Sequence, residues 1–98
     1  MKIIWSPLSL NRIVEIAEYI AEDKPGASEK WVESIFKSVE RLLKFPGSGR
    51  IVPEIKRQEI REILLGNYRI IYRIELDIIS VLTVRHGKQL LSGKDLTK

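Results

Sequence analysis

The chain opens with Lys2-Ile3-Ile4-Trp5, which reads as a short strand, and Ser6-Pro7 follows at once. Serine can cap the free N–H groups of a helix and proline suits its first turn, so a helix is predicted from that point. Leu10, Ile13, Ala17 and Ile20 then recur at helical spacing, with Leu8, Ile16 and Tyr19 widening the stripe. Glu22-Asp23-Lys24-Pro25-Gly26 breaks the pattern. A second helix is predicted from about Ala27 to Phe45, with Val32, Ile35, Phe36, Val39, Leu42 and Leu43 on one face and Trp31 at its edge. So short a connection predicts an antiparallel helical hairpin.

Beyond Pro46-Gly47-Ser48-Gly49 the period changes from that of a helix to that of strands. Strands are predicted over Glu59 to Leu65, Tyr68 to Glu75 and Ile78 to Arg85, with turns at Gly66-Asn67 and Leu76-Asp77. Loops this short imply an antiparallel meander, with the two helices over one face. The whole is an α+β sandwich and one domain, residues 1–98. The polar stretch from Gly87 to Lys98 is expected to be a flexible tail.

A two-residue loop at 76 and 77 places residue 75 opposite 78. Tyr68, Ile70, Tyr72 and Ile74 then share the helix-facing side with Ile79, Val81, Thr83 and Arg85. The open side receives Arg69, Ile71, Arg73 and Glu75 with Ser80, Leu82, Val84 and His86. In that register Arg69 lies opposite Val84 and diagonal to His86. A shift of one residue would flip one strand and separate the two.

Composition narrows the chemistry. The 98 residues contain no cysteine, which excludes disulfides, thiolate zinc sites and a cysteine nucleophile, and the one histidine excludes every motif needing two. Metal and cofactor are therefore not expected. No uncharged apolar run reaches the ~20 residues that span a bilayer, and the opening is not that of a signal peptide. A cytoplasmic domain without membrane association is the expectation. The net charge of +4 is unevenly placed: residues 1–49 balance seven basic against seven acidic side chains, while residues 50–98 carry ten against six. A basic C-terminal half points to a nucleic acid or an acidic protein segment as partner, or to nothing beyond solubility. Histidine can move a proton near neutrality and arginine can clamp a phosphate, so His86 and Arg69 are candidates for RNA cleavage, with Glu54 as the nearest base. Arg50, Arg61, Arg73, Arg85 and Lys88 are candidate contacts to a target or nucleic acid. The alternative is a strand-end histidine and arginines that only solvate the sheet.

Several segments, taken in order, resemble the RelE/ParE superfamily of type II toxin–antitoxin toxins. They are the early Trp5, Glu18-Tyr19-Ile20-Ala21, Phe45 to Glu54, Ile60-Arg61-Glu62-Ile63, Asn67 to Ile74, and Val84-Arg85-His86-Gly87-Lys88. The resemblance implies a helical hairpin on a twisted antiparallel sheet, neutralisation by a cognate antitoxin, and a role such as plasmid stabilisation. It implies one of two targets and leaves a homo-oligomer open. ParE-like toxins block DNA gyrase without known hydrolytic chemistry, and the arginine-glutamate strand, the tyrosine-rich strand and the histidine followed by basic residues favour that branch. RelE-like toxins are ribosome-dependent mRNA endoribonucleases, and Glu54, Arg69 and His86 would then be catalytic. Those nucleases commonly carry a C-terminal tyrosine, and this chain has no aromatic residue after Tyr72. A relative that binds antitoxin without being toxic is the third possibility.

Overall fold

The computed structural model describes residues 1–87, 91 and 93–96. Strand β1 (Lys2–Trp5) leads into helix α1 (Pro7–Asp23), and helix α2 (Pro25–Glu40) follows after Lys24 alone. Ser6 ends the strand and begins the helix: its Oγ accepts the Ser9 N–H at 3.0 Å, and Pro7 supplies a first helical residue that needs no N–H partner. α2 starts two residues before the predicted Ala27 because Pro25 suits a first helical position equally well. It also stops sooner, in a 3₁₀ turn at Arg41–Leu43.

Among the described residues four further strands follow: β2 (Arg50–Ile51), β3 (Ile60–Leu65), β4 (Tyr68–Ile74) and β5 (Ile78–His86). They form one sheet with β1 in the order β1-β5-β4-β3-β2. β1 runs parallel to β5, and the other neighbours are antiparallel. The β3–β4 turn falls at Gly66-Asn67 as predicted, with Gly66 at φ +57°, a backbone angle for which glycine is suited. β2 escapes sequence reading because two residues carry no periodicity.

The helical hairpin covers one face of the sheet. Ile13, Ile35, Val39 and Leu42 pack there against Ile70, Tyr72, Ile79, Val81 and Val84, all buried, with Trp5, Trp31 and Tyr68 at the margin. Fully burying an aliphatic side chain of this size stabilises by about 1.5–3 kcal/mol, so this layer is the main driving force of the fold.

The β4–β5 register departs from the one predicted. Ile74 faces Ile79 and Tyr72 faces Val81, as a two-residue loop requires, but Ile71 faces Thr83. Leu82 is thus the extra residue of a β-bulge, and every later residue of β5 changes face. Val84 and His86 turn to the helix side, while Thr83 and Arg85 turn to the other. Arg69 lies opposite Arg85, and His86 lies opposite Tyr68, so the expected diagonal of Arg69 and His86 is not formed. Ser6 stabilises the irregularity, because its Oγ donates to the Leu82 carbonyl at 2.8 Å and its N–H donates to Val81 at 3.0 Å.

Nor is the second face open. Val52, Ile60, Ile71 and Leu82 form a smaller buried cluster, against which Ile55, Leu91 and Leu96 pack. The segment expected to be a flexible tail contributes the last two, and Gly93–Leu96 forms a 3₁₀ turn. Spaced leucines in a polar stretch give too weak a pattern to reveal this.

Tyr72 fixes the loop before β2. Its hydroxyl donates to the Pro46 carbonyl at 2.8 Å and accepts the Gly49 N–H at 3.0 Å. Burial raises the phenol's pKa, which keeps it a donor. A side chain at Gly49 would put its Cβ 2.5 Å from the Tyr72 oxygen and 2.7 Å from the Glu62 carbonyl oxygen, so only glycine fits. Gly49→Ala is expected to cost ~1–3 kcal/mol by overpacking, and Tyr72→Phe ~1–3 kcal/mol by leaving the buried Gly49 N–H unpaired. Urea midpoints of the two variants check both values; an unchanged midpoint for Gly49→Ala would contradict the close contact.

Candidate functional site

β2, β3 and β4 bring four charged side chains together on the face away from the helices. Alternation along β3 puts Glu62 there, and the pairing of Glu62 with Arg50 and of Leu64 with Arg69 places an arginine on either side of it. Glu62 is wholly buried at its side chain and accepts from Arg69 Nε at 2.6 Å and from Arg50 Nε at 2.5 Å. Arg69 uses its remaining two nitrogens on Glu54, Nη1 to Oε2 and Nη2 to Oε1, both at 2.8 Å. The result is a chain of alternating charge, Arg50–Glu62–Arg69–Glu54, with a planar two-bond fork at its end.

This pairing shifts both partners. The Glu54 carboxyl lies below the ordinary carboxylate range, chiefly through the Arg69 hydrogen bonds, which outweigh its partial burial. Its own backbone N–H and that of Leu91 push in the same direction. Arg69 is raised above the usual arginine value, with Glu54 as the largest cause and Glu62 next. Both groups therefore stay charged throughout the physiological range.

Of the remaining sequence candidates, His86 shares a groove with Arg69 and Arg50, and the others have separate surroundings. His86 meets the Tyr68 ring edge-on at 5.7 Å, and Tyr68 in turn meets Trp31 at 5.3 Å. Arg69 and His86 both border a groove of about 220 Å³ at this end of the sheet, beside Arg50 and Tyr68. Arg61 is engaged in holding loops: its guanidinium donates to the carbonyls of Gln58 and Gly49, at 3.0 Å each, and to that of Gly47. Arg85 lies 3.6 Å from the buried carboxylate of Asp95. Arg73 is half-buried on β4, opposite Ser80. Arg50 keeps more than half of its side chain in solvent. Lys88 lies outside the described residues. Sequence reading missed Glu62 and Asp95, the two fully buried carboxylates that organise these arginines. The arginine-glutamate alternation of β2 and β3 was the available signal for the first, and nothing in the tail signalled the second.

Among the described residues no group of acidic or histidine side chains is placed to hold a metal. No helix among them is long and apolar enough to cross a membrane.

Removing Arg69 leaves Glu54 unpartnered by arginine and Glu62 buried with Arg50 alone. Arg69→Ala is expected to cost ~3–5 kcal/mol, as breaking a buried pair does. Glu54 also gives a pH signature. Its pKa is lowered on folding, so its contribution is complete above the unfolded value and is lost as pH falls through the folded one. Glu54→Gln is expected to remove that part of the acid limb while Arg57 and Glu59 variants leave it in place. Stability measured by urea at pH 7 and at a series of acid pH values checks it; parallel curves for wild type and Glu54→Gln would contradict it.

Residues 3–91 match the sequence profile of the family described as the ParE toxin of the type II toxin–antitoxin system, parDE. A protein of Sinorhizobium fredii (strain NBRC 101917 / NGR234), named "Putative toxin Y4kP", is 37% identical over 90 residues, spanning 90% of each chain. A solved structure titled "Chromosomal ParDE TA system from P. aeruginosa" superposes with a TM-score of 0.76. It covers 90% of this chain and 97% of its own, at 18% identity, and so speaks for the fold alone.

Proposed function

This chain belongs to the family of ParE toxins of type II toxin–antitoxin systems, with a cognate antitoxin as partner, and we propose that it inhibits DNA gyrase by binding it. The carrying observation is the two-bond pairing of Glu54 with Arg69. Cleavage of RNA by its own 2′-hydroxyl needs a base to take the proton and a cation to hold the phosphate. Here the candidate base and the candidate cation neutralise each other. Both Glu54 oxygens accept from Arg69, and a carboxyl with a lowered pKa is a poorer base. Arg69 is further committed to Glu62. His86 borders the same groove as Arg69, but it sits edge-on against Tyr68 and on the other side of β5 from Arg85. These features support action by surface contact, in which the toxin acts by its differential affinity for one state of its target.

Such a surface needs apolar side chains in solvent as well as charge. Leu10, Val14, Tyr19, Phe45, Leu64 and Leu76 are all exposed. With most of the arginines named above engaged internally, Arg50 is the best placed of the described candidates to meet an acidic patch.

Supercoiling by purified gyrase and ribosome-programmed mRNA cleavage, run on one preparation, test the proposal. Loss of supercoiling with accumulation of cleaved DNA and intact mRNA is the expected result. Cut mRNA with unaffected gyrase would replace it with the endoribonuclease reading, and activity in neither assay would leave an antitoxin-binding relative without toxicity. His86→Ala is expected to keep growth inhibition within a few-fold of wild type and to change stability by no more than about 0.5 kcal/mol.

A further inference from the structure

Helix α2 and the turn after it bury Ile35, Val39 and Leu42, and the exposed side sorts by charge. Lys30, Ser34, Lys37, Ser38 and Arg41 recur at helical spacing on one stripe, because Arg41 keeps helical backbone angles where the 3₁₀ turn begins. Glu29, Glu33 and Glu40 fall on a neighbouring stripe. Ser38 and Arg41 also line a groove of about 320 Å³ with Ser48 and Arg50, so the basic stripe runs on from the helix to the sheet edge at β2. Glu62 lines that groove as well, but it accepts from both Arg69 and Arg50 and adds no uncompensated charge.

We propose that this stripe, from Lys30 through Lys37 and Arg41 to Arg50, is a contact surface for the phosphate backbone of duplex DNA.

The cations on it are uncommitted. Among the described residues Lys30, Lys37 and Arg41 have no ion-pair partner, although Glu33 stands four residues before Lys37. Arg50 spends only its Nε on Glu62. The charge-balanced half of the chain thus supplies unpaired cations, while several arginines of the basic half are consumed inside the fold. The helix dipole favours cations in a last turn, which accounts for Lys37 and Arg41 but not for Lys30 in the first half of α2.

The stripe's remaining chemistry selects the partner. Serines between the cations offer hydroxyl donors to phosphate oxygens, whereas a membrane-binding face would interleave apolar side chains. Protein interfaces centre on apolar side chains, and the helical part of the stripe holds none. Single strands are held by stacking bases on aromatic rings, and no aromatic side chain lies on the stripe or lines its groove. From Lys30 to Arg41 the stripe is about 16 Å long, enough to follow several phosphates of one strand at ~3.4 Å of rise each.

The inference does not rest on gyrase as target, and its assay contains no gyrase, so the two readings fail separately. The full chain is titrated into a labelled DNA duplex of arbitrary sequence, with fluorescence anisotropy as readout. Binding is expected to be independent of sequence, with a log–log salt slope of about −3 to −4 from contacts worth about −0.9 each. Lys37→Glu and Arg41→Glu should each weaken binding ~10-fold at low salt and flatten the slope by about 1. Lys37→Gln, neutral and equal in helix propensity, should flatten the slope similarly and covers the case in which a charge reversal unfolds the helix. Lys2→Glu makes the same change in net charge on β1, at the opposite edge of the sheet, and is expected to stay within about 3-fold of wild type. Absence of duplex binding by wild type, or equal losses for Lys2→Glu and Arg41→Glu, would overturn the proposal. So would tighter binding of a single strand of the same length, or of polyglutamate, than of the duplex.

Discussion

One extra residue at Leu82 decides which side chains of β5 share a face, and the arrangement of the charged groups follows from it. Before the bulge the strand keeps the register dictated by the hairpin loop; after it, inside and outside exchange. Val84 joins the main core, Thr83 and Arg85 face Asp95, and His86 meets Tyr68. Ser6 supports the irregularity by satisfying the Leu82 carbonyl while capping α1. Strand irregularity, helix start and parallel β1 edge therefore meet in a single hydroxyl. Ser6 is buried, and a buried carbonyl without a partner costs about 1–3 kcal/mol.

The same geometry changes the meaning of the chain's positive charge. A net +4 concentrated in the second half suggests a basic surface, yet several of those arginines are consumed within the fold. Arg69 holds Glu54 and Glu62, Arg61 holds three loop carbonyls, Arg57 pairs with Glu59, and Arg85 faces Asp95. Charge pairs at exposed positions such as Arg57–Glu59 contribute little. Those around buried Glu62 are different, since each missing partner would leave a carboxylate out of reach of water. The face away from the helices is accordingly organised by ion pairs around a small apolar floor.

The helical hairpin, the two-residue turns and the strand positions were legible because each rests on local pattern: capping at Ser6-Pro7, helical spacing through Ile20, glycine at 66. The family could be read as well, since its motifs stand in order along the chain. What escaped depends on long-range contacts. A bulge changes register without altering hydrophobic alternation on either side of it, so the diagonal of Arg69 and His86 was a sound deduction from the wrong pairing. Glu62 looked like an ordinary strand glutamate, because burial by two flanking arginines requires knowing that β2 exists. Asp95 stood in a polar stretch, and its burial depends on Arg85 having changed face.

The division of β5 into two registers is the central structural claim, and cross-strand NOEs measured on the isotopically labelled protein test it directly. Contacts linking the backbones of Arg69 with Arg85, Ile71 with Thr83 and Tyr72 with Val81, together with Tyr68 to His86 ring contacts, are the expected pattern. Contacts linking Arg69 with Val84 in an unbroken ladder would contradict it, return His86 to the side of Arg69, and remove the basis for separating the ion-pair face from the histidine.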